Sequence, residues 1–232
     1  MNRKLVSLFP LLVSVCLLSF AAPASTHPDT PENNSTSRPD YLSPLEKELL
    51  DEMNLARTEP QKYAVFVEEY KRLYEGKRLL RPGRKPLVTF DGVEAVDEAI
   101  GFLRAAKALP PFEISKGICQ AARDHANDLG LKGIMGHKGS DGSLPNARLD
   151  RYGRWESTIG ETILYEVSTA REMVIALIID DGVPTRGHRN NIFNPDYRIA
   201  GLSISAPATT AARGVIDYTG GFQEKAGWAS QR

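Results

Sequence analysis

The sequence predicts a mixed α and β single domain. Three observations carry this. Four or five segments repeat their apolar residues at helical spacing in the first two thirds of the chain. About three short β-type runs, broken by Gly and Pro, follow in the last third. The chain has 232 residues and is 41% hydrophobic, enough for one core of ordinary size.

The first segment is set aside as a targeting signal. Arg3 and Lys4 precede an apolar run from Leu5 to Phe20, and Ala22-Pro23-Ala24 offers a small-x-small cleavage site. The run is short for a membrane span, so residues 1–24 are expected to be a signal peptide and the product secreted or periplasmic, with no span after its removal. Val15 before Cys16 argues against a lipid-anchored cysteine. Loss of Arg3 and Lys4 from 29 basic residues leaves 27 against 29 acidic ones, a net charge of −2. That balance excludes nucleic-acid binding as the main role. Cys119 is then alone and cannot form an internal disulfide.

Residues 25–42, rich in Pro, Ser, Thr and Asn, read as a flexible tether. Asn34-Ser35-Thr36 matches a glycosylation acceptor. Ser43 and Pro44 open a helix with Leu45, Leu49, Met53 and Ala56 on one face, ending near Thr58 because Pro60 follows. A second helix is expected over 61–74. Around its end, residues 71–85 hold seven Lys or Arg and one Glu, read as a solvated face in preference to an anionic-surface site. Third and fourth helices are expected over 93–106 and 116–129, the latter capped by Ser115, with His125 on its apolar face as a core histidine. Residues 130–160 lose all period and read as a long ordered or functional loop. Thr169 and Glu172 form a capping box for a helix ending near Asp181. Strands are expected over 160–166, 198–206 and 213–219.

No phosphate-binding loop, dinucleotide fingerprint, serine elbow or His-Glu-x-x-His motif occurs. A scattered polar set remains in the second half: His137, Glu161, Asp180, Asp181 and His188. Asp181 falls three and seven residues after Ile178 and Val174, on or beside a buried helical face, where a carboxylate needs a partner. Two imidazoles with one or two carboxylates suit a divalent cation such as zinc. The same residues also suit a hydrogen-bonded network bracing a loop.

Six segments together resemble the bacterial branch of the CAP superfamily, which includes cysteine-rich secretory, antigen-5 and pathogenesis-related proteins. They are Asn54-Leu-Ala-Arg-Thr58, Ala121-Ala-Arg-Asp-His-Ala126, Gly136-His-Lys-Gly-Ser-Asp-Gly-Ser143, Gly160-Glu161, Asp180-Asp-Gly-Val-Pro184 and Arg186-Gly-His-Arg-Asn-Asn-Ile192. The resemblance covers about residues 43–222. It implies one α+β domain over 43–232, an α-β-α sandwich with a central antiparallel sheet and a large cleft. It places the family's two His and two acids on His137, Glu161, His188 and Asp181, with Asp180 the alternative for the last. Thr162 stands where the family usually has an amide, and the second acid is Asp in place of Glu.

Three functions follow as expectations. The first is an exported domain whose cleft binds a small molecule, lipid or peptide, with zinc or another divalent cation at His137, Glu161, Asp181 and His188. The second is a metal-assisted hydrolase or peptidase with Glu161 or Asp181 as general base. The third is an extracellular module that docks a protein partner on loops 130–160.

Overall fold

The computed structural model describes residues 39–166, 168–205 and 213–226. The signal segment, the glycosylation acceptor and residues 25–38 of the tether lie outside the described residues. Of the tether only 39–42 are described, and there Leu42 is buried and the Tyr41 carbonyl accepts from Arg123.

Helix α1 runs Pro44–Thr58. Ser43 accepts from the Glu46 amide and Glu46 answers to the Ser43 amide, so both orphan donors at the helix start are satisfied. Pro60 restarts the chain as α2, Pro60–Lys71, shorter than expected because residues 74–88 form three two-residue strands. These are β1 (Tyr74–Glu75), β2 (Arg78–Leu79) and β3 (Leu87–Val88), paired antiparallel in that order. Helix α3 is Val93–Ala105, β4 is Glu113–Ile114, and α4 is Lys116–Lys132 with Ser115 accepting from the Ile118 amide.

The loop expected over 130–160 is a correction. It contains helix α5 (Pro145–Tyr152) and the first half of β5 (Gly153–Leu164). Helix α5 has Pro145 at its first position but no side-chain cap, and it buries only Arg148 and Leu149, so it shows no apolar stripe by which the sequence would mark a helix. Strand β5 carries a bulge between Glu156 and Ile159, with Ser157 at φ 70°, which breaks its alternation. Helices α6 (Ala170–Ile179) and α7 (Gly187–Ile192) and strands β6 (Ile199–Ile204) and β7 (Gly214–Glu224) complete the order.

The central sheet has the order β4-β6-β7-β5. It is antiparallel except for β4, which pairs parallel with β6 at one edge. Alternation along β7 divides the two faces. Ile216 and Tyr218 join Leu49, Met53, Val174 and Ile178 from α1 and α6 in the main core. Val215 joins Ala122, Ala126 and Leu129 of α4, together with Ile163 of β5. Helices therefore cover both faces, the α-β-α sandwich the resemblance implies. Gly201 lets α4 lie against β6: a Cβ there would stand 2.3 Å from the Cys119 nitrogen. Strand β5 is the other edge of the sheet, and the candidate residues gather around it.

Candidate functional site

Glu161 and Asp217 are direct partners across the β5–β7 ladder. They share a face with Ile163 and Val215, so both carboxyls point toward the α4–α5 layer. That layer supplies Arg148 from α5 and His125 from α4. Arg148 Nη2 donates to Glu161 Oε2 at 2.5 Å, and both side chains are 1% exposed. Arg148 also donates to the carbonyls of His137 and Ser143, which fixes the loop between α4 and α5. His125 Nε2 donates to the Gly136 carbonyl at 2.9 Å, and the Gly136 amide donates to the Tyr165 hydroxyl at 2.7 Å.

These anchors bring the His137 ring to Glu161, with Nδ1 to Oε1 at 2.7 Å. A carboxylate only accepts, so Nδ1 carries the hydrogen and Nε2 is left for a ligand. The bond to Glu161 raises the His137 pKa above its ordinary value. Burial works to raise Glu161, but His137 and Arg148 outweigh it and hold the carboxyl below its usual range. Burial lowers the His125 pKa, and its Nδ1 has no hydrogen-bond partner among the described residues. Asp217 is fully buried, and neither of its oxygens has a hydrogen-bond partner among the described residues. Burial, and then the Glu161 charge, push its pKa well above the ordinary carboxylate value.

The second histidine lies past the edge of β5. Helix α6 ends at Ile179 because Asp180 takes left-handed geometry at φ 53°, and Arg186 is left-handed too at φ 49°. Such residues cost of order 1 kcal/mol or more each and persist only where surroundings hold them. Here Arg189 donates to the carbonyls of Ile178 and Ile179, and Arg186 donates to those of Asp180 and Val183. Arg186 also pairs with Asp91 and Glu98, tying the turn to α3. So held, Asp180 Oδ1 accepts from His188 Nδ1 at 2.7 Å, and Oδ2 accepts from the His188 amide at 2.8 Å. One turn along α7, Asn191 donates to the Glu161 carbonyl and to Thr162 Oγ1, which docks α7 on the free edge of β5.

Asp181 is the correction. The helical phase that placed it beside the buried face ends with Ile179, and its carboxylate turns to the start of α3. There it accepts from the amides of Phe90, Asp91 and Gly92 at 2.7, 2.8 and 3.1 Å. The acid beside His188 is Asp180. His137 with Glu161, and His188 with Asp180, form two separate His–carboxylate pairs.

A cation held by all four side chains does not fit this arrangement. Glu161 is engaged by His137 and Arg148, Asp180 by His188, and Asp181 by backbone amides. Two Nε2 atoms remain, against the three protein ligands usual for a catalytic zinc. Among the described residues, no three His, Cys, Asp or Glu side chains gather as a metal site requires. The general-base role expected for Glu161 or Asp181 meets a related obstacle, since Glu161 is held by His137 and Arg148 and Asp181 accepts from three backbone amides.

Arg148 and Asp217 are the functional residues that the sequence reading missed. Neither has a motif signal: each becomes informative only when the fold sets it against Glu161.

His188 lines a groove of about 340 Å³ between the β1–β3 arm and α6. Leu79, Leu87, Leu164, Met173 and Val183 give it apolar walls, and Arg81 and Glu166 pair along it. No helix of the described residues is long and apolar enough to cross a membrane.

Comparison with known proteins follows the geometry. No curated protein matches the chain. Three solved structures are similar to it. An outer surface protein of Borrelia burgdorferi is 19% identical with TM-score 0.42, covering 50% of this chain and 80% of that one. An extracellular protein containing an SCP domain from Bacillus anthracis is 16% identical with TM-score 0.38, covering 56% of this chain. A cysteine-rich secretory protein of Staphylococcus aureus is 15% identical with TM-score 0.33, covering 57% of this chain. The chain spans 38% of the length of each of the last two. Residues 98–211 match the family described as CAP, the cysteine-rich secretory protein family. That stretch holds His137, Glu161, Asp180 and His188 in one run, and over it the chain carries the CAP family's pattern.

Proposed function

We propose that this is an exported CAP domain whose groove binds a ligand with an apolar body and a polar group, of the small-molecule, lipid or peptide class. One observation carries the reading: His188, oriented by Asp180 at 2.7 Å, lines an apolar-walled groove. A locked imidazole presents Nε2 in a fixed direction, so little rotamer freedom is lost on binding. The walls remove the ligand's apolar surface from water. Glu161 and Asp180 act as orienting groups for His137 and His188.

Ala176 lines the groove from the exposed side of α6, so a larger side chain there fills the groove without disturbing the core. A fluorescent fatty acid serves as the probe. A176W is expected to weaken its binding tenfold or more while the melting temperature stays within about 2 °C, as for surface substitutions. His188→Ala is expected to weaken it by about fivefold, the worth of one hydrogen bond of about 1 kcal/mol. Unchanged binding in A176W would place the ligand elsewhere.

Zinc gives a separate reading. Calorimetry at about pH 7.5, above the ordinary His pKa, is expected to show the same weak affinity for wild type and for the H137A/H188A double variant. A tenfold loss in the double variant would reinstate a cation held by the two Nε2 atoms.

A further inference from the structure

Residues 71–90 form an arm outside the stretch that matches the CAP family. Up to residue 85 it holds seven Lys or Arg and only Glu75, a net +6 in a chain whose total is zero. The remaining residues therefore carry −6, and the positive charge is concentrated on this one element.

Cross-strand register sorts the arm into two faces. Tyr74, Leu79 and Leu87 are aligned on one, and Glu75, Arg78 and Val88 on the other. Leu79 is buried and lines the groove, so the first face turns inward. The second face meets solvent. Val88 is 73% exposed, and Phe90, just past the end of β3, is 76% exposed. Leu87, at the strand edge, is 42% exposed. Eight large apolar side chains are exposed among the described residues, and three of them fall within residues 87–90. Scattered apolar side chains need no explanation, but a cluster on one short edge does.

The charges beside this edge are not all neutralised within the fold. Lys71 pairs with Asp97, Arg78 with Glu75, and Arg81 and Arg84 with Glu166. Arg72, Lys77 and Lys85 are exposed and show no ion pair among the described residues. Protruding Val88 and Phe90 flanked by free cations have the chemistry of an interfacial anchor: the apolar side chains enter the headgroup boundary and the cations meet anionic lipid. A soluble polyanion would satisfy the cations but leave Val88 and Phe90 in water, which favours the bilayer. The arm is also fixed in place. The Phe90 amide donates to Asp181, and its ring packs over Gly182, where a Cβ would stand 2.7 Å from the ring.

We propose that the arm, through Lys77, Lys85, Val88 and Phe90, docks the domain on the surface of a membrane containing anionic lipid, lying on the bilayer and not spanning it. The inference does not depend on the groove's ligand. Because Val88 and Phe90 also border the groove, docking would set the groove mouth at the level of the headgroups.

The test is co-sedimentation of residues 25–232, which contain the whole compact unit Arg38–Arg232, with vesicles of phosphatidylcholine alone or mixed with phosphatidylglycerol. Binding is expected only to the anionic vesicles and is expected to weaken as salt rises. Each cation removed should weaken it roughly fivefold, so K77S/K85S should lose about 25-fold. V88S/F90S should lose tenfold or more, with circular dichroism and melting like wild type. No binding to anionic vesicles at low salt would overturn the proposal. So would V88S/F90S binding as tightly as wild type, or equal binding to dextran sulfate, either of which assigns the arm to a soluble polyanion.

Discussion

Replacing Arg148 with methionine is expected to lower the unfolding free energy by about 3–5 kcal/mol at pH 7, the range for removing one partner of a buried ion pair. The size follows from where the pair lies. Arg148 and Glu161 are each 1% exposed, and Asp217 stands across the ladder from Glu161. An exposed pair such as Lys62–Glu59 contributes about 0–1 kcal/mol, because water solvates each charge when the other is lost. No water replaces Arg148. Methionine keeps much of the side-chain volume, so the loss reports charge and hydrogen bonding more than a cavity. In wild type Glu161 is held below its unfolded value, so its contribution is present above that value and fades as pH falls through the folded one. In R148M the sign reverses: burial dominates, Glu161 is raised, and the deficit should shrink as the pH is brought toward about 4, near the ordinary Glu pKa. Urea melts of R148M and R148M/E161Q across this range check it. The second substitution should recover a large part of the loss at pH 7 and little at pH 4. A loss below 1 kcal/mol at pH 7 would mean that the cluster admits water.

Asp217→Asn is expected to do the opposite and stabilise the domain at neutral pH, by about 1.4 kcal/mol for each pH unit over which the folded wild type holds a proton that the unfolded chain has released. Asp217 is fully buried, and its oxygens have no hydrogen-bond partners among the described residues. Its folded pKa lies well above the ordinary 3.8. The folded state therefore keeps a proton that the unfolded chain releases above pH 4. Stability is complete below the unfolded value and falls as pH rises toward the folded one. Asparagine does not titrate, so the advantage of D217N should be near zero at about pH 4, the ordinary Asp range, and widen up to pH 7. Thermal melts at several pH values measure it. An Asn variant less stable at every pH would show that the protonated Asp217 supplies a hydrogen bond that Glu161 needs.

Elements closed by local chemistry were legible before the fold was known. Ser43, Pro44 and Glu46 mark the start of α1, and the Leu49, Met53 and Ala56 stripe marks its buried face. Ser115 and Thr169 do the same for α4 and α6. These signals act over three or four residues, within reach of the sequence. Helix α5 has Pro145 at its start but neither a side-chain cap nor an apolar stripe, and β1 to β4 are two residues each, too short for any period to register.

The site divides along the same line. His137, Glu161 and His188 were found because motif order survives without geometry. Which aspartate faces His188 was not, because one residue, Asp180, leaves helical geometry and turns Asp181 toward α3. Arg148 and Asp217 lie 13 and 56 positions from Glu161 in the chain. Nothing local to either distinguishes it from a surface charge.

The sequence by itself determined the helices that carry their own caps, the apolar cores of the β5, β6 and β7 strands and the residue types of the site. The tertiary structure decided which carboxyl is ionised, which acid orients which histidine and where the arm's apolar edge emerges. The physical reason is that caps and periodicity are interactions between near neighbours. Desolvation and pairing depend on what the fold sets around a side chain, whatever its place in the chain.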